Sequence, residues 1–125
     1  MNAKILIVDD SSLARRTLRN LLEGMGYAVE EAADGAQALE RYSVSPPELV
    51  VLDMVMSGMY GLDVLAKLRE INPEVRVIVV TADIQTTTYE QVREAGAKGI
   101  LNKPIKKEAL GTTLAAVLGG GTTWN

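Results

Sequence analysis

The sequence predicts an α/β fold in which five parallel strands form one doubly wound sheet. Short runs rich in Val, Ile and Leu alternate five times with segments whose apolar residues recur at helical spacing. Three of these runs are apolar almost throughout, as parallel strands are when helices cover both faces of the sheet. Right-handed crossovers between such strands place helices on both sides, and 125 residues are enough for one domain of this kind.

The strands are expected where branched apolar residues concentrate. In chain order they are Lys4–Val8, Ala28–Ala32, Leu49–Asp53, Val75–Thr81 and Gly99–Asn102. The first crossover helix, Ser12–Met25, has an apolar face formed by Ala14, Leu18, Leu21, Leu22 and Met25. Gly26 is suited to end it because glycine adopts positive φ. The second helix, Gly35–Tyr42, follows Asp34, a favourable N-cap residue.

Three further helices complete the alternation. One has an apolar stripe that ends before Pro73, the next spans Gln85–Ala95 with three threonines in its first turn, and the last has a stripe near the end of the chain. The two stripes are Leu62, Leu65, Leu68 and Ile71, and Leu110, Leu114, Val117 and Leu118. Residues 1–118 are therefore assigned to one domain, and residues 119–125, "GGGTTWN", to a flexible Gly-rich tail.

Composition excludes several classes of function. The net charge of -3 argues against a nucleic-acid partner, because a phosphate backbone attracts a basic face. The chain contains no Cys and no His, which rules out thiol catalysis, the Ser-His-Asp triad and imidazole zinc sites within it. We find no signal peptide and no apolar stretch long enough for a membrane span, so a cytoplasmic protein is expected.

Polar residues follow four of the predicted strands. Asp9 and Asp10 follow the first, Asp53 ends the third, Thr81 ends the fourth and Lys103 follows the fifth. Taken singly, each could be a turn residue, a helix cap or a solvated side chain. Because ligands of open parallel sheets bind outside the carboxyl ends of the strands, we expect these five side chains to converge.

Three converging carboxylates favour a divalent cation. Two carboxylates about 4 Å apart repel each other by roughly 4 kcal/mol at an effective dielectric of 20. A bound Mg²⁺, which prefers oxygen ligands, reverses the sign of that interaction. A carboxylate beside the ion can attack phosphorus, and Asp53 is the best candidate nucleophile because its strand is central. Lys103 and the Thr81 hydroxyl could bind phosphoryl oxygens, since phosphoryl transfer needs mainly positioning and charge neutralisation.

Five spaced features resemble the receiver domain of bacterial two-component response regulators. They are "VDD" at 8–10, the strand-ending Asp53, Gly61 after the next loop, "TA" at 81–82 and "KP" at 103–104. The resemblance covers the chain from residue 4 to about residue 118. The chain looks most like the stand-alone, chemotaxis-type regulators, in which the receiver carries no effector domain.

The resemblance implies a flavodoxin-like fold with strand order 2-1-3-4-5 and a phosphoryl group accepted on Asp53. The donor would be a histidine kinase, a phosphotransfer protein or a small phosphodonor. Asp10 and Asp53 would bind Mg²⁺ together with the backbone carbonyl of Val55, and Asp9 would act partly through water. A downstream protein would read the state through helix 4, strand 5 and helix 5.

The resemblance also assigns the groups that would hold the phosphoryl group. The Thr81 hydroxyl and the Ala82 amide would bind it, Lys103 would bridge it, and the Lys103–Pro104 peptide bond is expected to be cis. Apart from its own phosphorylation and dephosphorylation, such a domain is not an enzyme.

Four positions depart from the family pattern. Ser57 and Tyr60 stand in the loop where Pro and then Asp or Asn are usual. Ile100 replaces the usual aromatic residue of the fifth strand, and Ile105 replaces the common Phe after "KP". In the family, an aromatic residue of the fifth strand follows the Thr hydroxyl inward on phosphorylation, and this chain lacks that residue. We hypothesise that Thr81 nevertheless moves toward the phosphoryl group.

In that hypothesis, residues 84–89 move in response and take the place of the missing aromatic residue as the readout. Asp83, two residues after Thr81, is a candidate to influence the attacking water during hydrolysis.

Three rival interpretations stay open. An Asp-nucleophile phosphohydrolase would need a second Asp where Val55 stands. A binding module that works without phosphorylation would not need all five polar residues. A nucleotide-binding domain is disfavoured because "GMG" at 24–26 follows a predicted helix and not a strand.

Overall fold

The computed structural model describes residues 3–124 and contains a central sheet of five strands flanked by five helices. The strands are β1 (Lys4–Val8), β2 (Ala28–Ala32), β3 (Leu49–Asp53), β4 (Val55–Met56), β5 (Met59–Tyr60), β6 (Val77–Thr81) and β7 (Gly99–Asn102). The helices are α1 (Ser12–Gly24), α2 (Gly35–Val44), α3 (Gly61–Ile71), α4 (Thr86–Glu94) and α5 (Lys107–Leu118). The outer limits of the predicted domain and tail, Met1 and Asn125, lie outside the described residues.

The sheet has the predicted parallel topology. Its strand order is β2-β1-β3-β6-β7, in which β6 and β7 are the fourth and fifth predicted strands. The fourth strand was predicted to begin at Val75, but in the structure it begins at Val77. Between β3 and α3 the chain forms a short antiparallel hairpin, β4–β5, which the sequence analysis described only as a loop.

Apolar side chains alternate between the two faces of the sheet, as the predicted doubly wound fold with helices on both sides requires. One buried cluster joins the sheet to α2, α3 and α4, and includes Leu6, Val50 and Val79. The other joins the sheet to α1 and α5, and includes Ile7 and Ile78. Full burial of one such side chain contributes roughly 1.5–3 kcal/mol, so both faces stabilise the sheet that carries the site.

Two of the five helices begin at a side-chain cap, and the helix boundaries differ from the predicted ones by small shifts. Ser11 caps α1, and its Oγ accepts a hydrogen bond from the backbone N–H of Ala14 at 3.2 Å. Asp34 caps α2 in the same way through Gln37, as predicted. Gly26 adopts a φ of 95° after α1, the left-handed conformation expected of a glycine there.

The tail residues described by the structure lie against the domain. The backbone N–H of Thr123 donates to the carbonyl of Lys98 at 3.0 Å, and Trp124 Nε1 donates to the carbonyl of Ala97 at 2.8 Å. The expected flexibility of residues 119–125 stays a prediction, but these contacts define where residues 119–124 lie.

Within residues 3–124, no helix combines the length and the apolar character needed to cross a membrane.

Candidate functional site

The carboxyl ends of β1, β3, β6 and β7 meet at one edge of the sheet. Hydrogen bonds between neighbouring strands continue to this edge: the amide of Met54 donates to the carbonyl of Val80 at 2.9 Å, and that of Lys103 donates to the carbonyl of Thr81 at 2.9 Å. The strand ends are therefore held in register where the polar residues leave the sheet.

Three carboxylates form a cluster at this edge. Asp9, Asp10 and Asp53 each place a carboxylate oxygen within 4.8 Å of the other two. Asp9 and Asp53 are buried, whereas Asp10 is exposed. The cluster is therefore open on one side, and its hard oxygen donors suit Mg²⁺, which keeps several waters when a protein supplies a few carboxylates.

Lys103 is the cation that faces this cluster. Its Nζ lies 3.4 Å from Oδ1 of Asp53 and 3.6 Å from Oδ2 of Asp9. The Lys103–Pro104 peptide bond is cis, as expected. One ammonium group against three carboxylates leaves a net negative site, which attracts a further cation.

Two contacts that the sequence analysis did not foresee hold the β1–α1 loop. Arg15, in the first turn of α1, donates from Nη1 to the backbone carbonyl of Asp9 at 2.6 Å. The amide of Ser57, in the β4–β5 turn, donates to Oδ2 of Asp10 at 2.7 Å. The first contact fixes the backbone at Asp9, and the second holds the carboxylate of Asp10.

The Asp9 carboxylate also contacts its own loop. Its Oδ1 accepts a hydrogen bond from the amide of Ser11 at 2.9 Å. Ser11 is itself the N-cap of α1. The alternative that Asp9 or Asp10 caps this helix is therefore wrong.

Burial and charge both act on Asp53. Removal of its carboxyl from water raises the pKa of Asp53, and the nearby charge of Asp9 raises this pKa further. The charge of Lys103 and the hydrogen bonds from Lys103 and the Val55 amide act in the opposite direction and lower the pKa. The net shift of the pKa is upward, so the ionised form of Asp53 is less stable in the fold than in water. A bound divalent cation would stabilise this ionised form.

Gly61 permits the close approach of α3 to the end of β3. Its amide donates to the carbonyl of Met54 at 2.6 Å. A Cβ at this position would lie 2.8 Å from the Cα of Met54 and would clash with the carbonyl oxygen of Asp53. The requirement for glycine here is thus steric, since a side chain would displace the backbone that presents Asp53.

Thr81 is buried at the end of β6 and begins a chain of hydrogen bonds into α4. Its Oγ1 accepts from the amide of Asp83 at 3.0 Å. Oδ2 of Asp83 in turn accepts from the hydroxyl of Thr88, a buried α4 residue, at 2.6 Å. The hydrogen bonds from Thr88 and from the Gln85 amide lower the pKa of Asp83. Ala82 is exposed between Thr81 and Asp83.

The structure thus brings together the carboxylates and the ammonium group that the sequence analysis selected. Arg15, Ser57 and Thr88 were missed as supporting residues. For Arg15 the sequence offered only a basic residue on the polar face of an amphipathic helix, and Thr88 was one of three adjacent threonines. Ser57 acts through its backbone amide, for which the residue type carries no signal.

Comparison with known proteins gives a consistent result. Residues 5–115 match the family described as "Response regulator receiver domain". Chemotaxis protein CheY of Thermotoga maritima is 34% identical over 107 residues, which cover 85% of this chain and 89% of that protein.

A second relative is longer than this chain. Response regulator MprA of Mycobacterium ulcerans is 36% identical over 118 residues, 94% of this chain, and the chain spans 51% of that protein's length.

A solved structure resembles the whole fold. The crystal structure of a LuxR-family two-component response regulator from Aurantimonas sp. SI85-9A1 superimposes with a TM-score of 0.91 at 31% identity. The match covers 98% of this chain and 89% of the other.

Proposed function

The chain belongs to the family of response regulator receiver domains, which act in two-component signalling, and on this premise we propose that it is switched by a phosphoryl group on Asp53. The observation that carries the proposal is the position of the Asp53 carboxylate. It lies at the end of the central strand, beside two further carboxylates and 3.4 Å from the ammonium group of Lys103. This arrangement surrounds one oxygen nucleophile with the charges that phosphoryl transfer requires.

In the proposed reaction, an oxygen of Asp53 forms a bond to the phosphorus atom of the donor. With a phosphohistidine donor the P–N bond breaks, and its electron pair stays on the departing imidazole nitrogen. With acetyl phosphate a P–O bond breaks and acetate leaves. Lys103 is placed to neutralise an oxygen of the transferred group, because its Nζ already faces Oδ1 of Asp53.

We assign Mg²⁺ to the acidic cluster. Asp10 and Asp53 would bind it directly with the backbone carbonyl of Val55, and Asp9 would act partly through water. The bound ion supplies charge neutralisation to the phosphoryl oxygens. The contacts from Arg15 and Ser57 support this assignment, because Arg15 fixes the backbone at Asp9 and Ser57 holds the Asp10 carboxylate, which lowers the entropy lost on binding.

The remaining roles concern recognition of the product and of partners. The Thr81 hydroxyl and the Ala82 amide would bind phosphoryl oxygens, and a histidine kinase or phosphotransfer protein would be the donor. A downstream protein would read the state on the surface formed by α4, β7 and α5.

The function is tested by intact-mass measurement after incubation with acetyl phosphate, with and without Mg²⁺. We expect one added phosphoryl group per chain that requires Mg²⁺, located on Asp53 by fragmentation. An unmodified mass in the presence of Mg²⁺ would refute the proposal. Continuous release of phosphate from acetyl phosphate far beyond one group per chain would instead favour the hydrolase alternative.

Replacement of Asp10 by asparagine is expected to weaken Mg²⁺ binding by more than about tenfold, because a ligand carboxylate becomes a neutral amide. Calorimetric titration with Mg²⁺ measures this directly. Glu40→Gln is the matched control: it removes an exposed carboxylate of α2 outside the cluster and should leave the affinity unchanged. Equal losses in both variants would show that overall charge, and not the cluster, attracts the ion.

A further inference from the structure

The segment that follows α5 turns back across the domain and is called the strap here, comprising residues 119–124. Gly120 adopts a φ of 94°, and its amide donates to the carbonyl of Val117 at 3.0 Å. The amide of Gly121 donates to the carbonyl of Ala116 at 3.0 Å. These bonds reverse the chain direction at the end of α5 and direct the strap toward β7.

The strap crosses the beginning of β7. The bonds of Thr123 and Trp124 to the carbonyls of Lys98 and Ala97 secure it there. A Cβ at Gly99 would lie 3.1 Å from Oγ1 of Thr123 and 3.2 Å from Cγ2 of Thr113 in α5. The strap, β7 and α5 are therefore packed tightly enough that glycine suits the position between them.

The far end of the strap contacts α4. The ring of Trp124 meets the ring of Tyr89 edge to face, with centroids 5.0 Å apart and an interplanar angle of 86°. Both residues are half-buried, and Trp124 also packs against the apolar cluster that contains Val92 of α4. The strap thus ties the middle of α4 to the edge of the sheet.

The same helix is bonded to the phosphoryl site. Thr88, which adjoins Tyr89, donates to Asp83, whose amide donates to the hydroxyl of Thr81. A Thr81 hydroxyl that turns to donate to a phosphoryl oxygen changes its bond with Asp83. The change reaches Thr88 and, through the helix, the ring of Tyr89.

We propose that the strap is an intramolecular brake on the switch: it holds α4 through the Tyr89–Trp124 contact, and phosphorylation of Asp53 weakens that contact. The proposal rests on the proposed function, since it deepens how the same site is regulated. Coupling between two sites is reciprocal. Removal of the strap contact must therefore favour the phosphorylated conformation by the same factor by which phosphorylation loosens the strap.

Fluorescence measures whether phosphorylation loosens the strap, because Trp124 is the single tryptophan of the chain. Beryllofluoride with Mg²⁺ serves as the probe for the phosphoryl group on Asp53. We expect the emission of Trp124 to shift to the red as its ring becomes more exposed to water. Asp53→Asn should show no shift under the same conditions.

Calorimetric titration measures whether loss of the strap contact favours binding of the phosphoryl mimic. Trp124→Ala should bind beryllofluoride with Mg²⁺ about two- to tenfold more tightly than the unmodified chain, the factor expected for loss of one edge-to-face aromatic contact. Tyr89→Leu, which keeps the tryptophan, should give the same gain. Val44→Ala, which trims an exposed apolar side chain at the end of α2, is the matched control and should bind as the unmodified chain does.

The possible outcomes distinguish failure of the brake from failure of the proposed function, phosphorylation of Asp53. If the probe binds but the emission of Trp124 is constant, or if both variants bind it equally or more weakly, the brake is refuted and the proposed function stands. If calorimetry detects no binding of the probe and no phosphoryl adduct forms with acetyl phosphate, both proposals fail.

Discussion

Asp53→Asn is expected to lose the phosphoryl adduct completely and, in the absence of Mg²⁺, to unfold at a higher temperature than the unmodified protein. The first effect follows because an amide has no anionic oxygen to attack phosphorus. The second follows from the electrostatics of the cluster, in which Asp53 is buried beside the charge of Asp9.

The direction of the stability effect comes from the raised pKa of Asp53. In the unfolded chain this carboxyl ionises near its ordinary pKa of 3.8, whereas in the fold it ionises at higher pH. Its ionisation therefore costs stability as pH rises from 3.8 through the raised pKa of the folded state, and the cost is complete above that pKa. The amide avoids that cost, and thermal unfolding at pH 7 should show a gain of about 2–6 °C.

Two comparisons make this prediction specific. At a pH below 3.8 the difference in unfolding temperature should shrink, because the carboxyl is then protonated in both states. Glu40→Gln alters an exposed glutamate of α2, beyond the first turn of that helix, and should change neither the adduct nor the unfolding temperature appreciably. An adduct that persists in Asp53→Asn, or a lower unfolding temperature at pH 7, would contradict the assigned role of this carboxylate.

Lys103→Met is expected to slow phosphorylation of Asp53 by about a hundredfold, the usual order of effect when a group that stabilises developing negative charge is removed. Methionine keeps the length and the apolar stem of the side chain but cannot neutralise a phosphoryl oxygen. The same substitution removes a positive charge 3.4 Å and 3.6 Å from two carboxylates of the cluster. Mg²⁺ should therefore bind more tightly while transfer becomes slower.

These opposite effects distinguish the role of Lys103 from simple damage to the site. The rate is measured by intact mass at timed intervals after addition of acetyl phosphate, and the affinity by calorimetric titration with Mg²⁺. Lys106→Met is the matched control, since it removes the charge of an exposed lysine just before α5. A parallel loss of rate and of Mg²⁺ affinity in Lys103→Met would indicate a disordered site and not the loss of a charge.

Much of the fold could be predicted because its signals are local. A run such as Leu49–Asp53 reveals a buried strand by residue type alone, and Asp34 predicts the start of α2 through a bond within one turn. Parallel topology then requires the ends of the strands to meet at one edge. That general rule placed Asp9, Asp53 and Lys103 together before any distance was known.

The supporting contacts could not be predicted in the same way. Arg15 is one of several basic residues on α1, and only the direction of its side chain selects it as the donor to Asp9. Ser57 contributes a backbone amide, and the β4–β5 hairpin that presents this amide consists of two-residue strands too short to show a period. Such contacts depend on how whole elements pack.

The sequence by itself determined the class of fold and the polar residues that leave the sheet, because hydrophobic period and capping act over a few neighbouring residues. The order of the strands was implied by the resemblance to receiver domains. Only the tertiary structure decided the separations within the cluster and the docking of the strap. Trp124 stood in a glycine-rich segment with no periodic pattern, and its position against Tyr89 follows from the packing of α4, β7 and α5. Contacts between distant segments are set by the geometry of the assembled core, which no local pattern encodes.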